Sequence, residues 1–259
     1  MLGKRQYKKL QKNFQKKHGY KKVSGEMIYV MSDLHGCYDK YKQMLEKVKF
    51  NSEDTLYVLG DVVDRGKDGM KILLDMMQWD NIVPMLGNHE YMAYNVLKKY
   101  NVEITAYNYN THLDSEDIEM YENWMFNGGI TTCQAFSKLE HETRDSIIEY
   151  LGEFELYEEI EVGGNKFVLV HGGLVDFDED KDLSEYGIHD IIWGRCDYAR
   201  QYYSDKYLVT GHTPTYNIDE KYKGKIYRQN NHIAIDCGAV FGGTLGCICL
   251  DTLEEYYVE

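Results

Sequence analysis

Five short apolar runs in this sequence each stop at a tight turn in which glycine stands beside Asp, His or Asn. Met27–Met31 leads into Ser32-Asp33-Leu34-His35-Gly36, and Leu56–Leu59 into Gly60-Asp61-Val62-Val63-Asp64-Arg65-Gly66. Ile82–Leu86 leads into Gly87-Asn88-His89-Glu90, Phe167–Val170 into His171-Gly172-Gly173, and Tyr207–Val209 into Thr210-Gly211-His212-Thr213. In open sheets, ligand sites lie beyond the carboxyl ends of parallel strands, where residues from several strands converge. Each turn alone reads as an Asx turn, a helix cap or a hydrogen-bonded histidine at a core edge. Five such turns together point instead to one shared site.

The spacing between the first turns predicts crossover helices over 38–48, 70–79 and 91–99, with Tyr41, Leu45 and Val48 on one face of the first. Strand–helix–strand at this cadence means a buried parallel sheet. Residues 100–150 are polar and acidic, with Trp124 and Phe126 ahead of the breaker Gly128-Gly129, and read as a helical insert over one edge of that sheet. The second half reads as rich in antiparallel pairs. Phe154–Val162 and Lys166–Val170 flank Gly163-Gly164-Asn165 as a hairpin, with later strands at Tyr207–Val209, Ile233–Ile235 and Leu245–Leu250. The expected class is therefore mixed α/β, two packed mixed sheets with helices outside.

With 259 residues and 43% hydrophobic content the chain can bury a real core, which excludes disordered, collagen-like and disulfide-stapled classes. Only Pro84 and Pro214 occur, and neither a linker nor a repeat is visible, so a single domain over 23–259 is expected. Residues 1–22 form a basic arm: Lys4, Arg5, Lys8, Lys9, Lys12, Lys16, Lys17, Lys21 and Lys22, with no acid. An anionic partner, the chain's own acidic body and bulk solvent all remain open as its surroundings. The net charge of −14 argues against nucleic acid and anionic membranes, and a phosphate-bearing substrate would need a local cationic spot. No apolar run follows the arm as a secretory signal requires, and no stretch approaches the ~20 apolar residues of a membrane span. The six cysteines show no CxxC pairing and read as reduced thiols of a cytoplasmic protein.

Asp, His and Asn donors without thiolate suit borderline to hard divalent ions. The donors at these turns outnumber what one ion takes while keeping an open position. Two ions ~3.5–4 Å apart and sharing a carboxylate would use them, and would activate a water for in-line displacement. Arg65 sits in the second turn, and Arg195 follows the apolar run Ile191–Trp193. Their planar guanidinium groups match phosphate oxygens, although Arg195 reads equally well as a surface ion pair.

In order, Asp33-x-His35-Gly36, Gly60-Asp61-x-x-Asp64-Arg65-Gly66, Gly87-Asn88-His89-Glu90, His171-Gly172-Gly173 and Gly211-His212-Thr213 resemble the signature of the phosphoprotein phosphatase family. That family lies within the calcineurin-like metallophosphoesterase superfamily, and the likeness is greatest to small bacterial and phage-lambda-type serine/threonine phosphatases, over roughly residues 27–250. The resemblance implies a four-layer sandwich and two divalent ions, manganese first, with iron or zinc also admitted. It implies that Asp33, His35 and Asp61 hold one ion, with Asp61 bridging, and that Asn88, His171 and His212 complete the other. Arg65 and Arg195 would grip the phosphoryl group beside Asn88 and His89. His89, oriented by Asp64, would be the general acid, and Asp236 after Ile233–Ile235 would support the site.

The implied activity is hydrolysis of phosphoserine and phosphothreonine esters in proteins or peptides, by hydroxide held between the ions. Ser32, Leu86 and Cys237 depart from the family pattern, as does the missing proline after Gly173, but none of these removes a ligand. The alternative is a symmetrical diadenosine tetraphosphate hydrolase or nucleotide phosphatase, which resembles this chain in the first motif and in Gly238–Gly243. That branch lacks Asp at the position of Asp64 and has Asp where Glu90 stands, so both residues rank it second. A non-catalytic scaffold would require a lost ligand, and none is missing.

Overall fold

The computed structural model describes residues 21–22, 27–103, 105 and 113–259. Its first sheet is built on β2 (Ile28–Met31), β3 (Thr55–Val58) and β4 (Ile82–Pro84), which run parallel with Ile28 opposite Thr55 and Leu56 opposite Ile82. The crossovers are α1 (Tyr38–Val48) and α2 (Gly69–Met76), and α3 (Asn88–Tyr100) follows β4. β10 (Leu245–Cys249) pairs antiparallel with β2, and β11 (Glu255–Val258) completes the order β11-β10-β2-β3-β4. β4 is shorter than predicted, because beyond Pro84 the chain turns its bonds to Glu155, with Met85 as an isolated bridge.

The second sheet contains β1 (Lys21–Lys22), β5 (Tyr157–Val162), β6 (Asn165–Val170), β7 (Tyr207–Thr210), β8 (Tyr227–Gln229) and β9 (His232–Ala234). Their order is β1-β5-β6-β7-β9-β8. The hairpin β5–β6 is as expected, and the second half is rich in antiparallel pairs: β5–β6, β8–β9, β10–β11 and β10–β2. β6, β7 and β9 are parallel neighbours, and they form the middle of the sheet. The connections between them are long, as parallel crossovers require; the first carries α7 (Ile188–Ile192).

Alternation along the strands fills two layers. Ile28, Val30, Tyr57 and Ile248 face Phe167, Leu169, Val209 and Ile233 in a core between the sheets. Tyr29, Met31, Leu56 and Val58 point the other way, toward Tyr41, Met44, Ile72 and Leu73 of α1 and α2. The result is the expected sandwich of two mixed sheets flanked by helices.

The insert is helical, with α4 (Ser115–Trp124), a π-type turn over Met125–Gly129 kinked at the left-handed Gly128, α5 (Ile130–Phe136) and α6 (His141–Leu151). Asp114 caps α4 by accepting the Asp117 N–H at 2.9 Å. These helices pack on α2 and α3 rather than over a sheet edge. The basic arm lies outside the described residues up to residue 20, but its last two, Lys21–Lys22, pair parallel with β5. All six cysteines are free, four of them buried. Among the described residues no helix is long and apolar enough to cross a membrane.

Candidate active site

Both sheets send their parallel strand ends to one pocket. Asp33 and His35 follow β2; Asp61, Asp64 and Arg65 follow β3; Asn88 and His89 open α3; His171, His212 and Asp236 follow β6, β7 and β9. Six of these residues have left-handed backbone, a conformation that non-glycine residues adopt rarely and mostly where function requires it: Asp33 (φ 54), His35 (38), Asp61 (55), Asp64 (69), Arg65 (64) and His212 (63). The first two turns brace each other through Asp33 N–H to Gly60 O (3.1 Å) and His35 N–H to Asp61 O (2.8 Å). Glycine recurs here because carboxylates pass over bare backbone. A Cβ at Gly87 would lie 2.3 Å from Asp61 Oδ1, and one at Gly211 would lie 2.3 Å from Asp33 Oδ2.

Asp61 stands at the centre. Its Oδ2 lies 3.4 Å from His35 Nε2 and 3.9 Å from His89 Nε2, whereas its Oδ1 lies 3.3 Å from His171 Nε2. Two groups of donor atoms result, His35–Asp61–His89 and Asp61–His171–His212, each with its atoms within 4.8 Å of one another. The tautomers follow from the outer bonds. His35 Nδ1–H donates to Val63 O (2.8 Å) and His171 Nδ1–H to Leu59 O (2.6 Å), which turns both Nε2 atoms inward. Asn88 Oδ1 lies 3.1 Å from His171 Nε2 and so joins the second group. Asp33 is buried beside these groups, and its Oδ2 accepts the His212 N–H (2.9 Å) and the Ser32 hydroxyl.

Charge is concentrated here. Asp33, Asp61, Asp64, Glu90 and Asp236 are all buried. Burial opposes ionisation of Asp61, but the facing His171 and His89 hold its carboxyl well below the usual range. Burial pushes Asp236 well above that range, and neighbouring Asp33 adds to it. Burial opposes a charged His171 too, yet Asp61 raises it to about 10. His212 is pushed down to about 3 by burial and by the charge of His171. Crowded oxygen and imidazole donors converging in a buried acidic pocket fit divalent cations.

The remaining candidates lie around this centre. His89 Nδ1–H donates to Asp64 Oδ2 at 2.7 Å, the expected orienting pair. Arg65 is exposed, with its guanidinium between His35 Nε2 and His89 Nε2 (3.0 Å to the latter) and its Cζ 5.3 Å from the exposed Phe241 ring. It therefore sits against the imidazoles. Arg195 is exposed and donates to Thr213 Oγ1 at 3.0 Å, next to His212. Asp236 Oδ1 accepts the Gly238 N–H at 2.9 Å.

Three contributors were absent from the expected set. Glu90 accepts backbone N–H groups from Asp61, Val62, Val63 and Gly87 at 2.7–3.1 Å, clamping the second turn. Its place in the Gly87–Glu90 motif was the signal. Trp124 Nε1–H donates to Asp64 Oδ2 at 2.8 Å, and Thr132 Oγ1 accepts the Asp64 N–H at 2.9 Å. Apart from Trp124 standing before Gly128-Gly129, the sequence carries no signal for these two.

Residues 27–243 match the model of the calcineurin-like phosphoesterase family. A symmetrical bis(5'-nucleosyl)-tetraphosphatase of Buchnera aphidicola subsp. Acyrthosiphon pisum (strain 5A) is 32% identical over 126 residues, 48% of this chain and 43% of that protein. The chain thus spans less than half the length of the curated relatives it matches. A crystal structure of a candidate diadenosine tetraphosphatase superposes with a TM-score of 0.62 at 17% identity, covering 91% of this chain and 94% of that one. A protein serine/threonine phosphatase from Saccharomyces cerevisiae gives 0.55 at 14% identity, covering 94% and 80%. At these identities the structures speak for the fold alone. The curated relatives carry the name of the activity that the motifs ranked second.

Proposed function

The chain belongs to the calcineurin-like phosphoesterase family, and we propose that it hydrolyses the phosphoanhydride of dinucleoside tetraphosphates, using two divalent ions. The hydrolytic part of this reading is carried by Asp61, whose two carboxylate oxygens each address a separate donor group. The choice of substrate is supported by the names of the curated relatives, which fit it better than a phosphoprotein.

In this reading Asp33, His35 and Asp61 would hold one ion, and Asp61, Asn88, His171 and His212 the other. The donors admit manganese, iron or zinc alike. Bound, such ions polarise phosphoryl oxygens and neutralise charge that develops on them. The protein's own groups do the rest. Arg65 and Arg195, both exposed at the pocket rim, bind the equatorial oxygens with paired N–H donors. Arg65 leaves His89 Nε2 as it turns to the phosphate, and that nitrogen then faces the departing oxygen. With Nδ1–H held by Asp64, a protonated His89 delivers its proton from Nε2.

One observation favours a second reading, phosphoserine or phosphothreonine monoester hydrolysis in proteins or peptides. The Asp64–His89 pair is built to protonate a leaving group, and an alkoxide needs that proton far more than a nucleotide phosphate does. Turnover of diadenosine tetraphosphate and of a phosphoserine peptide by the same manganese-supplemented preparation tests the choice. A kcat/KM preference of about a hundredfold for the dinucleotide is expected. A reversed preference moves the assignment to phosphoprotein, and no turnover of either by metal-loaded protein supports the scaffold reading.

A further inference from the structure

Asp64 and Arg65 are consecutive left-handed residues with different tasks, one orienting His89 and the other presenting a guanidinium. Neither is held in place by its own sheet alone. The Asp64 N–H donates to Thr132 Oγ1 in α5 (2.9 Å), and the Arg65 N–H donates to Gly128 O in the π-turn (3.0 Å). The Asp64 side chain is tied more tightly still. Its Oδ2 accepts both His89 Nδ1–H (2.7 Å) and Trp124 Nε1–H (2.8 Å), whereas its Oδ1 is buried with no hydrogen-bond partner.

A carboxylate held through one oxygen is free to rotate unless a second rigid donor fixes its plane. The fully buried indole of Trp124 is that donor. The kink at the left-handed Gly128 (φ 100) explains how it gets there, since it breaks the helical run just after Trp124. Each glycine of the pair has a task. A Cβ at Gly128 (φ 100) would lie 3.0 Å from Arg65 Cγ, and one at Gly129 would lie 2.6 Å from the Trp124 ring. The two glycines let the insert close on Arg65 from one side and on the indole from the other.

We infer that the insert α4–π–α5 is a positioning clamp for the reaction, with Trp124 and Thr132 as its positioning residues. Trp124 sets the plane of the Asp64 carboxylate and, through it, the direction of His89 Nε2. Thr132 and the Gly128 carbonyl hold the backbone that carries Asp64 and Arg65. The inference rests on the reading of His89 as proton donor to the leaving group.

The test compares the manganese-loaded wild type with Trp124→Phe, which removes the N–H and keeps one aromatic ring of the indole. Substrates are an alkyl phosphate with a poor leaving group and an aryl phosphate with a good one. A lost general acid is worth ~10²–10⁴ in rate, so a misdirected one is expected to lower kcat on the alkyl ester about tenfold. On the aryl ester kcat should stay within about twofold, and KM should be unchanged on both. Thr132→Val should lower kcat and Thr132→Ser should restore it, which keeps the test alive if Trp124→Phe does not fold. Equal losses on both esters, or no loss on either, overturn the clamp. His89→Ala in the same assay separates the causes. If it is selective for the alkyl ester and Trp124→Phe is not, the clamp falls alone; if it is unselective, the acid role falls and the clamp with it.

Discussion

The two sheets feed one pocket by different means. The first sheet supplies its groups from three turns, of which the first two hold five left-handed non-glycine residues, Asp33, His35, Asp61, Asp64 and Arg65. Those turns stand because Glu90 accepts four backbone N–H groups beneath them and because the insert grips Asp64 and Arg65 from above. The second sheet contributes His171 straight from the end of β6, with His212 its only left-handed contributor. A single backbone bond, Gly211 N–H to His171 O at 2.7 Å, links the two histidines' turns. Left-handed backbone and its supports are concentrated on the side that holds the Asp64–His89 pair. The other side needs little more than well-aimed imidazoles.

If this contrast is right, the largest effect comes from the residue shared by both sides. Asp61→Asn should remove both ions and about a thousandfold or more of activity, roughly 4 kcal/mol of barrier. His212→Ala should leave one ion, and metal analysis of both purified variants distinguishes the two outcomes. His89→Ala should retain both ions and lose about 10²–10⁴ on an alkyl phosphate, read from steady-state kinetics beside metal content.

Supports should show the same asymmetry in stability. Glu90→Gln leaves several buried N–H groups without an anionic acceptor and should cost about 2–4 kcal/mol in urea unfolding. Asp236→Asn in the second sheet loses a carboxylate that accepts one side-chain-to-backbone bond and that burial and Asp33 already disfavour as an anion. It should cost less than about 1 kcal/mol. Equal costs would erase the contrast.

A pH dependence seated in β9 tests the second sheet by another route. His232 is buried, with its Nε2 at 2.9 Å from Thr210 Oγ1 and its ring stacked 4.9 Å from Tyr198. Burial holds it neutral, down to about 3. The unfolded imidazole takes a proton near 6.5, so the unfolded state binds more protons below that pH. Stability linked to His232 is therefore intact above 6.5 and is lost as pH falls toward 3. Urea unfolding at pH 7 and pH 4.5 should show His232→Phe losing about 2 kcal/mol less over that interval than the wild type.

Much of this site was legible beforehand because its signals are local. A glycine beside Asp or His at a strand end marks a turn where a carboxylate crosses bare backbone, as Gly87 and Gly211 do here. The cadence of the first half likewise announced β2–α1–β3–α2–β4. The second sheet was harder, since a hairpin at β5–β6 suggested more of the same. The polar turns that close the β6 and β7 runs, like those of the first sheet, were the signal that these strands run parallel. The pairing of donors was harder again. Asp61 Oδ2 lies 3.4 Å from His35 and 3.9 Å from His89, so residue order alone does not say which imidazole it serves.

Chain order and residue type by themselves determined which side chains gather and what chemistry they suit, because turn geometry and donor hardness are properties of a few neighbouring residues. Tertiary structure alone decided that Asp61 turns one oxygen to each group, and that Trp124 reaches a carboxylate sixty positions earlier in the chain. Contacts across such separations depend on how whole helices and sheets pack, and no local pattern encodes that.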